Sequence, residues 1–200
     1  MSNIKLVILM CCAAALIGSV GCGSKDSSSD STPSNYTLTL LDSDVVWAVN
    51  GGIDQIYNDN LAGQPVSNSH NISAMCPLGG FVVITGATGY TINTGITTVS
   101  LTYAMSGCKI TKTSSSGTSV SLTLTGSVAH VGSFNSSTNF KSVNYQSSSL
   151  TMTGTAHRTG YNDATVNNAN CSYSGASTSS GTSSTVSGSV CGNATVSWTN

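Results

Sequence analysis

A chain of 200 residues is long enough to bury a real core in one domain. Six Lys or Arg stand against seven Asp, with no Glu, for a formal net charge of −1. That near-neutral balance, without a basic cluster, argues against nucleic acid and against anionic surfaces as partners. The polarity comes from Ser, Thr, Asn and Gly, with Ser and Thr together close to a third of the residues. Thr suits strands and Ser, Gly and Asn suit turns, while the good helix formers are scarce. The profile predicts a mainly β, extracytoplasmic protein.

Met1-Ser2-Asn3-Ile4-Lys5 is a short head with one positive charge, and Leu6 to Gly18 is uninterrupted and apolar. Small residues Ser19, Val20 and Gly21 then lead to Cys22. A charged head, about 7–15 apolar residues and a small-residue cleavage site describe a secretory signal. A spanning helix needs roughly 20 apolar residues, more than this run provides. The segment resembles the lipobox of bacterial lipoproteins, with Val20, Gly21 and Cys22 in the pattern and Ser19 where Leu, Val or Ile is usual. The resemblance implies acylation of Cys22, cleavage before it, and anchoring to a membrane by several acyl chains, since one chain binds only marginally. Cys11 and Cys12 have too little apolar sequence before them to compete. Gly23 rather than Asp after Cys22 points, by analogy with enteric lipoproteins, to the outer membrane. Residues 1–21 are thus expected as signal peptide, 22–35 as a Ser-rich flexible tether, and 36–200 as a single β-rich domain.

Tyr36–Leu40 alternates and reads as a strand. Asp42 and Asp44 offer helix caps, a simpler role than calcium ligation. Val46, Val49, Ile53, Ile56 or Tyr57, and Leu61 then fall at helical spacing, which predicts a helix near 44–61 that Gly51-Gly52 weakens. From Phe81 the period becomes two. Val99, Leu101, Tyr103 and Met105 alternate with small or hydroxylated residues, as do Val120, Leu122, Leu124 and Val128, then Leu150, Met152 and Ala156. Val186, Val190, Ala194, Val196 and Trp198 continue the scheme. The expectation is an antiparallel sheet of long Thr-rich hairpins, a meander or a sandwich, with one apolar face. Turns are expected at 114–117, 133–139, 160–170 and 177–184. A short string repeats at Thr85-Gly86, Thr125-Gly126, Thr153-Gly154 and Ser187-Gly188, each time with the glycine on the apolar face. Such glycines suggest a bulge, a bend, or a gap filled by a neighbouring ring, for which Tyr103, Tyr145 and Tyr173 are candidates. Because the helix is too small to cover the whole apolar face, a second sheet or a partner chain is expected to help.

Cys76, Cys108, Cys171 and Cys191 remain after lipidation, an even count that reads as two disulfides in an exported chain. Four cysteines allow three connectivities, of which the sequential one, Cys76 with Cys108 and Cys171 with Cys191, is favoured because it staples neighbouring strands. A metal site of all four lacks any C-x-x-C pair, and no metal or cofactor is expected. The chain as a whole resembles Gly/Ser/Thr-rich lipoproteins of Gram-negative bacteria, a likeness of composition that carries no function.

Acid–base catalysis needs titratable groups held together, yet Asp163 is the only carboxylate side chain from Cys76 to the end. No G-x-S-x-G, P-loop, H-E-x-x-H or dinucleotide-binding glycine pattern occurs. His130 and His157 fall on opposite parities, which argues against a shared metal, and together with His70 they read as structural or solvent-facing near strand ends. No catalytic residue is expected. The surviving functional feature is the hydroxyl face: Thr123, Thr125, Thr151, Thr153 and Thr155, with Thr98 and Thr102, are candidates for a Thr ladder able to hydrogen-bond glycans. The simpler role of these threonines is soluble strand formation. The expected function is a non-enzymatic envelope module of structural or interaction type, its partners being the membrane through the anchor and envelope proteins or glycans.

Overall fold

The computed structural model describes residues 42–114, 117–194 and 198–199. Cys22 and the strand expected at Tyr36–Leu40 lie outside them, as does Val196. Helix α1 spans Asp42–Asn60, within two residues of the span expected from spacing. Seven principal strands follow: β1 His70–Met75, β2 Phe81–Thr91, β3 Ile96–Thr113, β4 Ser119–Asn135, β5 Phe140–His157, β6 Ala164–Ser180 and β7 Ser183–Val190. Two short ones, β8 Asn193–Ala194 and β9 Trp198–Thr199, both pair with β7. Strands β1 to β8 pair in chain order, every pair antiparallel. The fold is therefore mainly β, an open meander in one sheet, with one helix and two disulfides.

Alternation produces this directly. In β3 the residues Val99, Leu101, Tyr103 and Met105 are buried and Ser100, Thr102 and Ala104 between them are exposed. After Met105 the parity changes, and Cys108 and Ile110 become the buried pair. A bulge causes the change: Ser106 and Gly107 together oppose Thr125. Gly107 takes φ +60°, and its N–H donates to Thr125 Oγ1 at 3.1 Å. One extra residue returns the apolar set to the core, which a strict period of two would have turned to solvent.

The four repeated glycines do face inward, and the nearest obstacle to a side chain there is backbone of the next strand. A methyl group on Gly86, Gly126, Gly154 or Gly188 would lie 2.2, 2.7, 1.9 or 2.2 Å from the carbonyl oxygen of Ser100, Ser149, Ser121 or Ser174 on the next strand. Neighbouring backbone thus occupies the space a side chain would need, so close approach of the next strand is the reason for glycine at these positions. Replacing Gly154 with Ala should cost about 2–3 kcal/mol, because only backbone of β4 stands in the way and must shift. Gly51→Ala should cost far less: its nearest obstacle is the end of the flexible Lys112 side chain, and helix propensity returns about 1 kcal/mol. Urea midpoints of the two variants compare them.

The helix lies on the inner face, against β3, β4, β6 and β7. Val45, Val46, Ala48, Val49, Ile53, Ile56 and Tyr57 are all buried, as is Asn50. Burial takes in more than half of its circumference, as expected where a bulged, twisted sheet curls about a helix. Gly51 and Gly52 permit the close seating: side chains there would strike Lys112 and Ile110 of β3. On the other margin Gly175 and Gly188 pair across β6 and β7, beneath Asn50 and Val46. The dipeptide that weakens the helix locally thus serves its packing. No second sheet contributes among the described residues.

Three turns are shorter than expected, the first because β4 runs to Asn135 and leaves only 136–139 before β5. Strand β6 begins at Ala164, so 164–170 is strand rather than turn, and β6 and β7 are separated only by Gly181 and Thr182. The run at 164–170 has buried Ala164 and Val166 alternating with exposed residues, and that burial overrides the turn preference of its asparagines. Asn170, at φ +52°, lies where the register of β5 and β6 shifts.

Candidate functional site

Cross-strand register assembles the threonines singled out in the sequence on the outer face. Thr123 opposes Thr153, Thr125 opposes Thr151, and Thr155 opposes Ser121. The first row extends to Lys109 on β3 and Asn167 on β6, the last to Thr111 and Thr165. With strands about 4.8 Å apart and same-face residues about 6.8 Å apart, these side chains form a two-dimensional hydroxyl lattice. Two members have internal work: Thr125 accepts from Gly107, and Thr151 Oγ1 accepts from the Asn170 N–H at 3.2 Å. Among the described residues, Thr123, Thr153 and Thr155 have no hydrogen-bond partner. Thr98 and Thr102 lie beyond the bulge, opposite Ser133 and Ala129, and are not part of this lattice.

The three histidines go to three places. His70 Nε2 shares a 2.8 Å hydrogen bond with Thr88 Oγ1. His157 faces solvent and pairs with Asp163, Nδ1 to Oδ1 at 2.6 Å. Ser119 is the cross-strand partner of His157, but the hydroxyl of Thr113 donates to its Oγ at 3.3 Å and no bond joins it to the imidazole. His130 departs from the expectation of a strand-end residue: it sits within β4 at 1 % exposure. Even positions of β4 face inward from Val120 onward, and His130 continues that parity into the core.

Around His130 the inner face becomes aromatic and polar. Its ring stacks on Tyr145 at 4.8 Å between centroids and meets Tyr57 edge-on at 6.1 Å. Nδ1 shares a 3.3 Å hydrogen bond with the Tyr103 hydroxyl, whereas the buried Nε2 has no partner among the described residues. Tyr145 in turn donates to Asp54 Oδ1 at 2.5 Å, and Lys141 donates to Asp54 Oδ2. Tyr173 completes the inner row by donating to Asn50 Oδ1 at 2.6 Å.

Burial dominates the electrostatics. It lowers His130 to a pKa of about 4; the Asp54 carboxylate opposes that shift and Lys141 adds to it. Burial also pushes the Tyr145 hydroxyl far above its ordinary value, aided by the charge of Asp54 and the bond to it. At neutral pH the cluster therefore holds a neutral imidazole beside one compensated ion pair.

A cleft of about 210 Å³ opens beside this cluster, between the second half of α1 and the β4–β5 turn. Tyr57, Phe134 and Phe140 supply its apolar walls; Asp54, Lys141, Asn58 and His130 supply polar groups. Tyr57 and Phe134 meet at 83°, forming a corner. Asn135 holds the turn: its amide donates to Thr94 O at 2.7 Å, while its oxygen accepts from the N–H and hydroxyl of Ser137.

Asp54→Ala should cost about 2 kcal/mol, less than the ~3–5 kcal/mol for a fully buried pair because both partners are about a quarter exposed. A double-mutant cycle with Lys141→Met, read by urea unfolding, should return coupling of about 1 kcal/mol. Sequence reading passed over this cluster. Its signal was polar residues at apolar positions: Asn50 and Asp54 one turn apart on the helix, and His130 on the inward parity. Comparison with protein-family models, with curated proteins and with solved structures returns no match, so the geometry alone carries the functional reading.

Proposed function

We propose that this chain is an exported lipoprotein, acylated at Cys22 and tethered to the envelope, with the outer membrane favoured over the inner. Its β-layer serves as a non-enzymatic interaction module, and the outer face of β4 and β5 meets glycans. The observation that carries the reading is the registered hydroxyl lattice, in which Thr123, Thr153 and Thr155 have no protein partner among the described residues. Each hydroxyl both donates and accepts, so such a lattice matches the hydroxyls of a polysaccharide, with the charge of Lys109 at its margin. The two disulfides support an oxidising, extracytoplasmic setting.

Two experiments test it. Palmitate labelling should depend on Cys22, and labelling that survives Cys22→Ser removes the anchor. Binding of the purified protein to envelope polysaccharide should fall when Thr123, Thr153 and Thr155 are changed together to Val, which keeps strand propensity and removes only the hydroxyls. Undiminished binding by that triple variant would overturn the assignment of this face.

A further inference from the structure

We infer that the cleft between α1 and the β4–β5 turn is a second binding site, on the opposite side of the sheet, for a single neutral sugar unit. The starting observation is His130 Nε2, buried and without a partner among the described residues, in a residue that lines the cleft. A buried polar atom left unpaired is costly, and its persistence beside a cleft points to a ligand group that completes it.

Size and charge narrow the ligand. The cleft exceeds by severalfold the ~30 Å³ share of one water and falls short of the ~300 Å³ typical of sites for drug-sized molecules. Asp54 is matched by Lys141, and His130 is neutral, so no net charge is offered to an ion. A purely apolar ligand would leave Nε2 unpaired. The polar groups are mixed: Asp54 accepts, Lys141 donates, and the Asn58 amide, without a partner among the described residues, does both. Hydroxyl groups satisfy such a mixture. The walls separate a sugar from a flat heterocycle: Tyr57 and Phe134 meet at 83° and form no slot for stacking on two sides, but one ring can receive the C–H face of a puckered ring. Asn135 and Asn139 are already committed, to Thr94 and to Gly181, and act as a rigid frame for the rim.

The test uses the purified full chain with nitrogen-labelled histidine. Glucose, galactose and N-acetylglucosamine, each free and as its methyl glycoside, are titrated while the His130 imidazole resonances are followed. At least one sugar should move Nε2 saturably and more than Nδ1. Binding of methyl glycosides would place the end of a glycan chain in the cleft; binding of free sugars alone would make it a monosaccharide site. Asn58→Ala should weaken binding about tenfold, the worth of one well-made hydrogen bond. His130→Phe combined with Tyr103→Phe leaves neither of those two polar groups unpaired; it should keep the fold and abolish binding. The outer-face triple variant should bind as the parent does, which separates failure here from failure of the glycan face. A panel in which no sugar moves Nε2, or cleft variants that bind like the parent, would overturn the inference.

Discussion

Removal of both disulfides should bring the folded chain to the edge of unfolding at ambient temperature. Cys76 pairs with Cys108 across 32 residues and Cys171 with Cys191 across 20, the sequential connectivity expected from the cysteine spacing. On the chain-entropy account, closures of this size contribute about 4 and about 3 kcal/mol. Their sum, about 7 kcal/mol, is comparable with the ~5–15 kcal/mol total stability of an ordinary domain. Their placement adds to the effect, because an open meander has margins to lose. The first bond ties the end of edge strand β1 past β2 to the bulge in β3, where Leu78 and Lys109 also exchange backbone bonds with Lys109 and Gly79 carbonyls. The second ties β6 to the residue that follows β7. Urea unfolding with and without reductant measures the combined loss, and paired Cys→Ala variants measure each part. Cys171 and Cys191 are the more exposed, so mild reductant should open that bond first, while Cys76 and Cys108 are buried. Full stability retained after complete reduction would contradict the prediction.

A second large effect is acid lability centred on His130. Its folded pKa of about 4 lies below the ordinary 6.5 of an exposed histidine. The unfolded chain therefore binds this proton more readily than the folded one. The stabilisation is fully present above pH 6.5 and is lost as pH falls from about 6.5 towards 4. At about 1.4 kcal/mol per pKa unit, the total is about 3 kcal/mol. The groups facing the imidazole act in both directions, Asp54 easing protonation and Lys141 resisting it, so Lys141→Met should shift the acid limb to lower stability loss and Asp54→Asn to greater loss. In the His130→Phe, Tyr103→Phe variant the limb between these pH values should be nearly flat. Stability measured by urea unfolding at several pH values decides the matter, and an unchanged slope in that variant would assign the acid sensitivity to other groups.

Much of the fold could be read before any contact was known. Period-two runs identified β3, β4, β5 and β7, though not β6, because one buried face and one wet face impose alternation on the side chains. The helix was legible at Val46, Val49, Ile53 and Leu61 despite Gly51-Gly52. Features that depend on which strands become neighbours were not. The bulge at Ser106–Gly107 changes the parity of β3 between Met105 and Cys108, and only its pairing with Thr125 explains it. The repeated glycines were visible, but which strand backbones approach them was not. The asparagine-rich run at 164–170 carries turn residues and forms strand, since burial of Ala164 and Val166 outweighs local preference.

The candidate sites divide in the same way. Thr123, Thr125, Thr151, Thr153 and Thr155 follow from parity, and tertiary structure added only their register. The cleft is otherwise: Asp54 and Lys141 lie 87 residues apart, and Asp54 and Tyr145 lie 91 apart. Local periodicity reports which face a residue takes, because that depends on a few neighbouring dihedrals. It is silent on which helix turn comes to rest over which strand, because that follows from curvature and packing summed over the whole sheet. By itself the sequence determined the alternating strands β3, β4, β5 and β7 and the outer hydroxyl face, and it favoured the sequential cysteine pairing among three. Tertiary structure alone decided that a neutral histidine, an ion pair and three aromatic rings would meet around one cleft.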